Sequence, residues 1–246
     1  MSREQRIIEA FVSLTDTFGD EVDPLVLVHR LVETSVQLTA ADAAGVMLGT
    51  ARGQLRSVAV SDHRAGLLEL FQNQTDQGPC IDCWRTGERL SAPDFSRRQN
   101  EWPYFVPLAR AAGFEGAYAI PLRIRRRTVG ALNLLTSAPA PLPAEELDLM
   151  QALGDVTVTA LMQWNGDPLR PEDILTRTQA AVSAKATVDM AAGMIAASAG
   201  LSVPRAAMAL HDYSHQHSRR PTDVARALIS REMPAASVLA ASGQSD

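Results

Sequence analysis

Residues 188–207 read VDMAAGMIAASAGLSVPRAA, and alanine or glycine fills most positions at which two helices joined at Gly200 would face each other. Alanine has the best intrinsic helix propensity, and both residues let helix axes approach closely, so the segment stays helical while offering little bulk. A chain built this way must close short helices against one another at small separation. Base composition is a competing explanation for any single alanine. Lys185 is the only lysine, arginine is frequent and alanine abundant, the pattern of a GC-rich genome.

The rest of the chain has a different texture. Ile7, Ile8, Phe11, Leu14 and Phe18 recur at spacings of three and four, which predicts a first helix, and Pro24 opens a second carrying Leu27, Leu31 and Val32. AAGVMLG and QLRSVAVS predict two strands around the turn near Gly53, and a helical stretch after Asp62 carries Leu67, Leu68, Leu70 and Phe71. GAYAIPLRIR and RTVGALNLL predict a second hairpin with Arg125, Arg126 and Arg127 at its tip. From Pro143 a long helix begins, acidic in its first turn at Glu145 and Glu146, with Leu149, Leu153, Val156 and Ala160 repeating along it. The turn cluster NGDP, residues 165–168, marks a domain boundary. Beyond it strand signals stop, and helices are expected over 172–198, 203–217 and 222–232. Residues 234–246 read as a disordered tail.

At 246 residues and 46% apolar, the chain has room for two domains of about 100 to 150 residues each. No apolar run approaches the roughly 18 residues that span a bilayer, and MSREQRIIEAF lacks a signal-peptide core, so the expectation is a cytoplasmic protein without a membrane partner. Two cysteines make no disulfide framework. The net charge is −5, yet between Arg170 and Met233 eight basic residues stand against six acidic ones, with His211, His215 and His217 in addition. That is a weak nucleic-acid signal on its own.

The first 165 residues form an expected α+β sheet covered by helices, and this part resembles a GAF domain, a PAS-like sensor fold. GPCIDCWRTGERL, residues 78–90, is similar to the turn and helix seen in such domains of actinobacterial regulators. The resemblance implies a small-molecule or redox sensor whose last helix extends into a dimer-forming coil. Residues 166–233 resemble an ANTAR domain, the all-α three-helix RNA-binding module of transcription antiterminators. MAAGMIA (190–196), Ala206 with Leu210, and SRRPTDVA (218–225) carry the likeness, with Ala191, Gly193, Ala206, Leu210, Asp223, Val224 and Ala225 in agreement. The resemblance makes Ala191, Gly193, Ala206, Leu210, Val224 and Ala225 packing residues. The chain departs from the family at Ala192 (usually Lys), His211 (usually Arg), Ala207 (often aromatic), Ser214 and Ser218.

Loop RNA is held by arginine on phosphates and base edges and by planar groups on which unstacked bases lie. Arg205, Arg219, Arg220, Tyr213 and His215, with His217 beside them, are the candidate set, and an ordinary solvated face is the alternative. Cys80 opens a helix just after Pro79, where the helix dipole lowers a thiol pKa. Cys80 and Cys83 are therefore candidates for redox or ligand sensing, against a purely structural role. No second Cys pair or nearby His completes a metal site. Trp84 and Trp102 are candidate walls of a sensor pocket over the sheet. No cofactor is named by the sequence, and the familiar nucleophile, phosphate-loop, zinc and dinucleotide motifs are missing, so no enzyme is expected. The expected function is a dimeric, signal-responsive regulator that binds paired hairpin loops in RNA. A different class remains open: a sensing and protein-interaction module whose helical domain only dimerises or docks.

Overall fold

The computed structural model describes residues 2–15, 23–163 and 171–242. Phe18 and the expected boundary at 165–168 lie outside the described residues. The chain divides into two compact units, one holding the N-terminal helix and Pro24–Val182, the other holding Ser183 onward.

The first unit opens with α1 (Arg3–Thr15) and α2 (Pro24–Leu38), followed by the hairpin β1 (Ala43–Gly49) and β2 (Leu55–Val60). Then come α3 (His63–Thr75), α4 (Pro79–Thr86), β3 (Leu90–Ala92), a 3-10 turn at Phe95–Arg97 and α5 (Phe105–Ala111). The hairpin β4 (Gly116–Ile124) and β5 (Arg127–Thr136) leads to α6 (Ala144–Gln163) and into α7 (Pro171–Ala199). All pairings are antiparallel in the order β2-β1-β5-β4-β3. The turn between β4 and β5 is Arg125-Arg126, with Arg125 at a φ of 54° that a tight hairpin needs.

Strand alternation sends Val46, Leu48, Leu132, Ile120 and Leu122 to one face of the sheet, which α2 and α6 cover. The other face carries Ala43, Gly45 and Met47 of β1, Leu135, Asn133 and Ala131 of β5, and Ala117 and Ala119 of β4, and α3, α4 and α5 lie over it. A first apolar cluster on this side joins Ala43, Leu68, Phe95, Trp102, Phe105, Phe114 and Leu135. A second joins Met47, Leu55, Cys80, Cys83, Ala119 and Ala131. The face of α3 differs from the expected one. Ala65, Leu68, Glu69 and Gln72 are buried, whereas Leu67 and Leu70 are exposed. Four leucine and phenylalanine positions within five residues wrap around more than one face, and the helix turns its 65-68-69-72 stripe to the sheet.

In the second unit α7 ends at Gly200, whose φ of 66° and the Leu201 N–H bond to the Ala196 carbonyl (3.1 Å) close the helix in a Schellman turn. α8 (Val203–Gln216), α9 (Pro221–Ile229) and α10 (Ala235–Ser242) follow. Ala191, Ala192, Ile195, Ala206, Ala209, Leu210, Val224, Ala225 and Leu228 form the core. One expectation changes. The tail read as disordered forms α10, because Ala-rich AASVLAAS is a good helix former and Val238 buries completely against this core. By contacts the two units divide within α7, where Ile174, Thr178 and Ala181 are buried on the first unit's side. Thr176–Ala199 also reaches a mean hydropathy of 1.2 over 18 residues. Alanine supplies that value, and its inward residues pack on α8 and α9.

Candidate sensor core and nucleic-acid face

Cys80 and Cys83 sit on the short helix α4, which Pro79 starts and Gly87 (φ 70°) ends. Both thiols are fully buried. Burial pushes the Cys80 thiol well above its ordinary range, with the neighbouring Glu69 and Cys83 adding to the effect, and pushes Cys83 up to about 12. This corrects the expectation of a dipole-activated thiol: removing the thiolate from water outweighs the field of an eight-residue helix. Trp102 is also corrected from pocket wall to core. It is 2% exposed, donates its Nε1–H to Asp82 Oδ2 at 2.8 Å, and meets Phe105 edge-on with ring centroids 6.0 Å apart. Trp84 does line a small cavity of about 200 Å³, with Thr50, Arg127, Thr128, Ile174 and Thr178, and its ring lies against Gly49.

Polar side chains that the sequence reading missed converge on the same face of the sheet. Gly45, Asn133 and Ala119 form one cross-strand row. Fully buried Glu69 reaches it from α3 over Gly45, and Gln72, also fully buried, lies one turn further along the helix beside Gly78. A Cβ at Gly45 would overlap the Glu69 carboxyl, and one at Gly78 would overlap the Gln72 side chain, so two glycines admit two polar groups to the interior. Gln72 accepts the Cys80 N–H through Oε1 at 2.8 Å. Its Nε2, and both amide atoms of the fully buried Asn133, have no hydrogen-bond partner within the protein. The available signal was a helical stripe at 65-68-69-72 in which two of four core positions are polar, and an asparagine on the inward side of β5.

In the second unit the candidate RNA residues separate. Arg205 is exposed in the first turn of α8. Tyr213 and His217 stack at the other end, 4.0 Å between centroids at 21°, with exposed His215 between them in sequence. A helix of this length spans about 20 Å, so Arg205 and Arg219 do not form one patch. Arg220 caps α9 and lies 3.8 Å from Asp223. Exposed Arg219 lines a groove of about 700 Å³ on whose walls Met190, Ile229 and Arg226 also lie, with Asp223 and Glu232. Arg226 was missed, since nothing in its spacing distinguishes it from a solvated helix position. Of the six packing residues, Ala191, Ala206, Leu210, Val224 and Ala225 lie in the core. Gly193 does not: a Cβ there would meet no atom within 4 Å, because this side of α7 faces outward. Ala192, at the family's lysine position, is fully buried.

A sheet clothed by helices on both faces, followed in the chain by a separate alanine-packed helical unit, defines a two-domain architecture of an α+β unit and an all-α unit. The family models agree: residues 21–162 match the GAF domain and residues 176–229 match the ANTAR domain. The chain belongs to the GAF domain family, and carries an ANTAR domain after it; such architectures are regulatory. Among solved structures it is similar to the GAF domain of an Acinetobacter phosphoenolpyruvate-protein phosphotransferase, at 13% identity and a TM-score of 0.51 over 69% of this chain and 100% of that one. It is also similar to the reduced form of fRMsr of Staphylococcus aureus, at 11% identity and a TM-score of 0.50 over 65% of this chain and 94% of that one. These likenesses establish the fold of the first unit. A search of curated proteins gave no match.

Proposed function

We propose that this protein is a cytoplasmic, dimeric regulator of transcription antitermination, in which the GAF domain senses a small molecule and the ANTAR domain binds paired hairpin loops in RNA. The carrying observation is the groove between α7 and α9. Its apolar wall of Met190 and Ile229 suits the flat face of an unstacked base, and Arg219 and Arg226 suit the adjoining phosphates. Arg220 at the start of α9, and the Tyr213–His217 stack, extend the same chemistry. Helix α7 contributes to both units and is the covalent route for a signal.

The test is a salt-titrated binding assay with an RNA bearing two linked hexanucleotide-loop hairpins, comparing wild type with Arg219→Ala/Arg220→Ala. Loop-dependent binding should weaken with salt, and the double variant should lose roughly tenfold or more in affinity with a shallower salt slope. Loop-independent binding, or an unchanged double variant, would refute the assignment. A second reading, docking of a protein partner, is favoured by the exposed side chains of Met190, Met194, Val203 and Met208. A folded protein that ignores the RNA but loses a partner on Met190→Ser/Met208→Ser would support that one.

A further inference from the structure

We infer that the buried polar row of the GAF domain is a binding site for a compact carboxamide- or urea-type group, held by Asn133, Gln72 and Glu69. This deepens the sensing half of the proposed function and rests on it. Asn133 lies fully buried in the middle of the five-stranded sheet, with neighbours no larger than glycine and alanine in its row. Glu69 reaches the row over Gly45. Gln72, one turn further along α3, is fixed through Oε1 to the Cys80 N–H, which orients its NH2 group. Cys80 itself packs in the cluster that holds Ala119, the other neighbour of Asn133.

The hydrogen-bonding capacity of these groups selects the ligand. Asn133 Nδ2 and Gln72 Nε2 are donors, while Asn133 Oδ1 and the Glu69 carboxyl are acceptors. A group with one carbonyl oxygen beside an NH2 satisfies both kinds at once: the oxygen accepts from the two amide nitrogens, and the NH2 donates to Asn133 Oδ1 and to Glu69. A carboxylate lacks the N–H and leaves Asn133 Oδ1 without a donor. A hydrocarbon leaves all of the amide atoms unsatisfied, which is costly in an interior. The flanking clusters, Met47 with Leu55 on one side and Leu68 with Leu135 on the other, supply apolar surface for whatever carries the group.

The experiment uses the full chain with 15N labelling, acetamide and urea as probes, and acetate as the control, each taken to about 0.5 M, since a four-atom fragment at ordinary per-atom affinity has a Kd of roughly 0.1 M. The side-chain amide signals of Asn133 and Gln72 should shift in a saturable way with acetamide and urea and stay still with acetate. Asn133→Leu, or Asn133→Ala should the leucine variant misfold, should abolish the response. Without probe, Asn133→Leu should melt a few degrees above wild type, because it removes amide atoms that the protein leaves unpaired. Unmoved amide signals, or an Asn133→Leu protein that melts lower than wild type, would overturn the inference and leave internal water as the partner of the row. RNA affinity measured on the same samples reports on the regulator assignment separately. Loss of RNA binding with the amide response intact sinks that assignment and leaves the site standing.

Discussion

Ionisation at Cys83 decides whether the CxxC pair senses redox state. At pH 7.5 a thiol with the ordinary value near 8.5 is about one-tenth thiolate, whereas one pushed up to about 12 is about three parts in 100,000. Reaction rate follows the thiolate, so native Cys83 should react about 3,000-fold more slowly than the same residue in the unfolded chain. Complete burial of both sulfurs slows access further. The assay is the absorbance time course with excess Ellman's reagent, native against guanidinium-unfolded, using Cys80→Ser and Cys83→Ser to assign the phases. Native half-times within tenfold of the unfolded ones would refute the reasoning. So would a Cys80–Cys83 disulfide, formed by mild oxidant in the folded protein, that changes RNA affinity. The sign of the linkage gives a companion test. A folded thiol value above the unfolded one stabilises the fold fully below the unfolded pKa, and that contribution is lost as pH rises toward 12.

Two further outcomes are expected. Deleting residues 234–246 removes α10 and exposes the contacts of the fully buried Val238, which should cost about 2 kcal/mol in urea unfolding of the helical domain; an unchanged midpoint would mean that α10 contributes nothing. Asp62 caps α3 by accepting the Arg64 N–H at 2.6 Å, and its hydrogen bond from the Arg64 side chain holds its carboxyl below the usual range. That stability is present above the unfolded pKa and is lost as pH falls through the folded value, so Asp62→Ala should cost about 1 kcal/mol at pH 7 and progressively less below pH 4. A difference between the two proteins that stays constant down to pH 2 would disprove the role of the carboxylate.

Long periodic stretches were legible because many residues vote on one period: α6, α8 and the β4–β5 hairpin emerge at nearly their observed bounds, α2 starts at Pro24 as expected, and α9 stops three residues before its expected end. Strand β3 has three residues and α5 seven, too few for any period to register. The thiols were misjudged because a helix start is visible in Pro79-Cys80, but the burial that overrides it depends on β1, β4 and β5, distant in sequence. The polar row was hidden for a related reason. Gly45 and Asn133 weaken a strand locally, and only the pairing of β1 with β5 brings them side by side. Alanine packing of the last helices was readable because small residues recur at helical spacing. Gly193 carries the same signature, and yet a Cβ added there would meet no atom within 4 Å.

The alanine-built core of the ANTAR domain reverses the usual pattern of mutational sensitivity. In a leucine core most harm comes from truncation, since removed volume leaves a cavity. Ala191, Ala192, Ala206, Ala209 and Ala225 have only a methyl group to lose, whereas nearly every substitution at these sites adds atoms to a core that is already closed. Saturation mutagenesis should therefore find these five positions tolerant of serine and glycine and intolerant of valine, leucine and phenylalanine. Drift toward a more hydrophobic sequence would damage this domain rather than strengthen it.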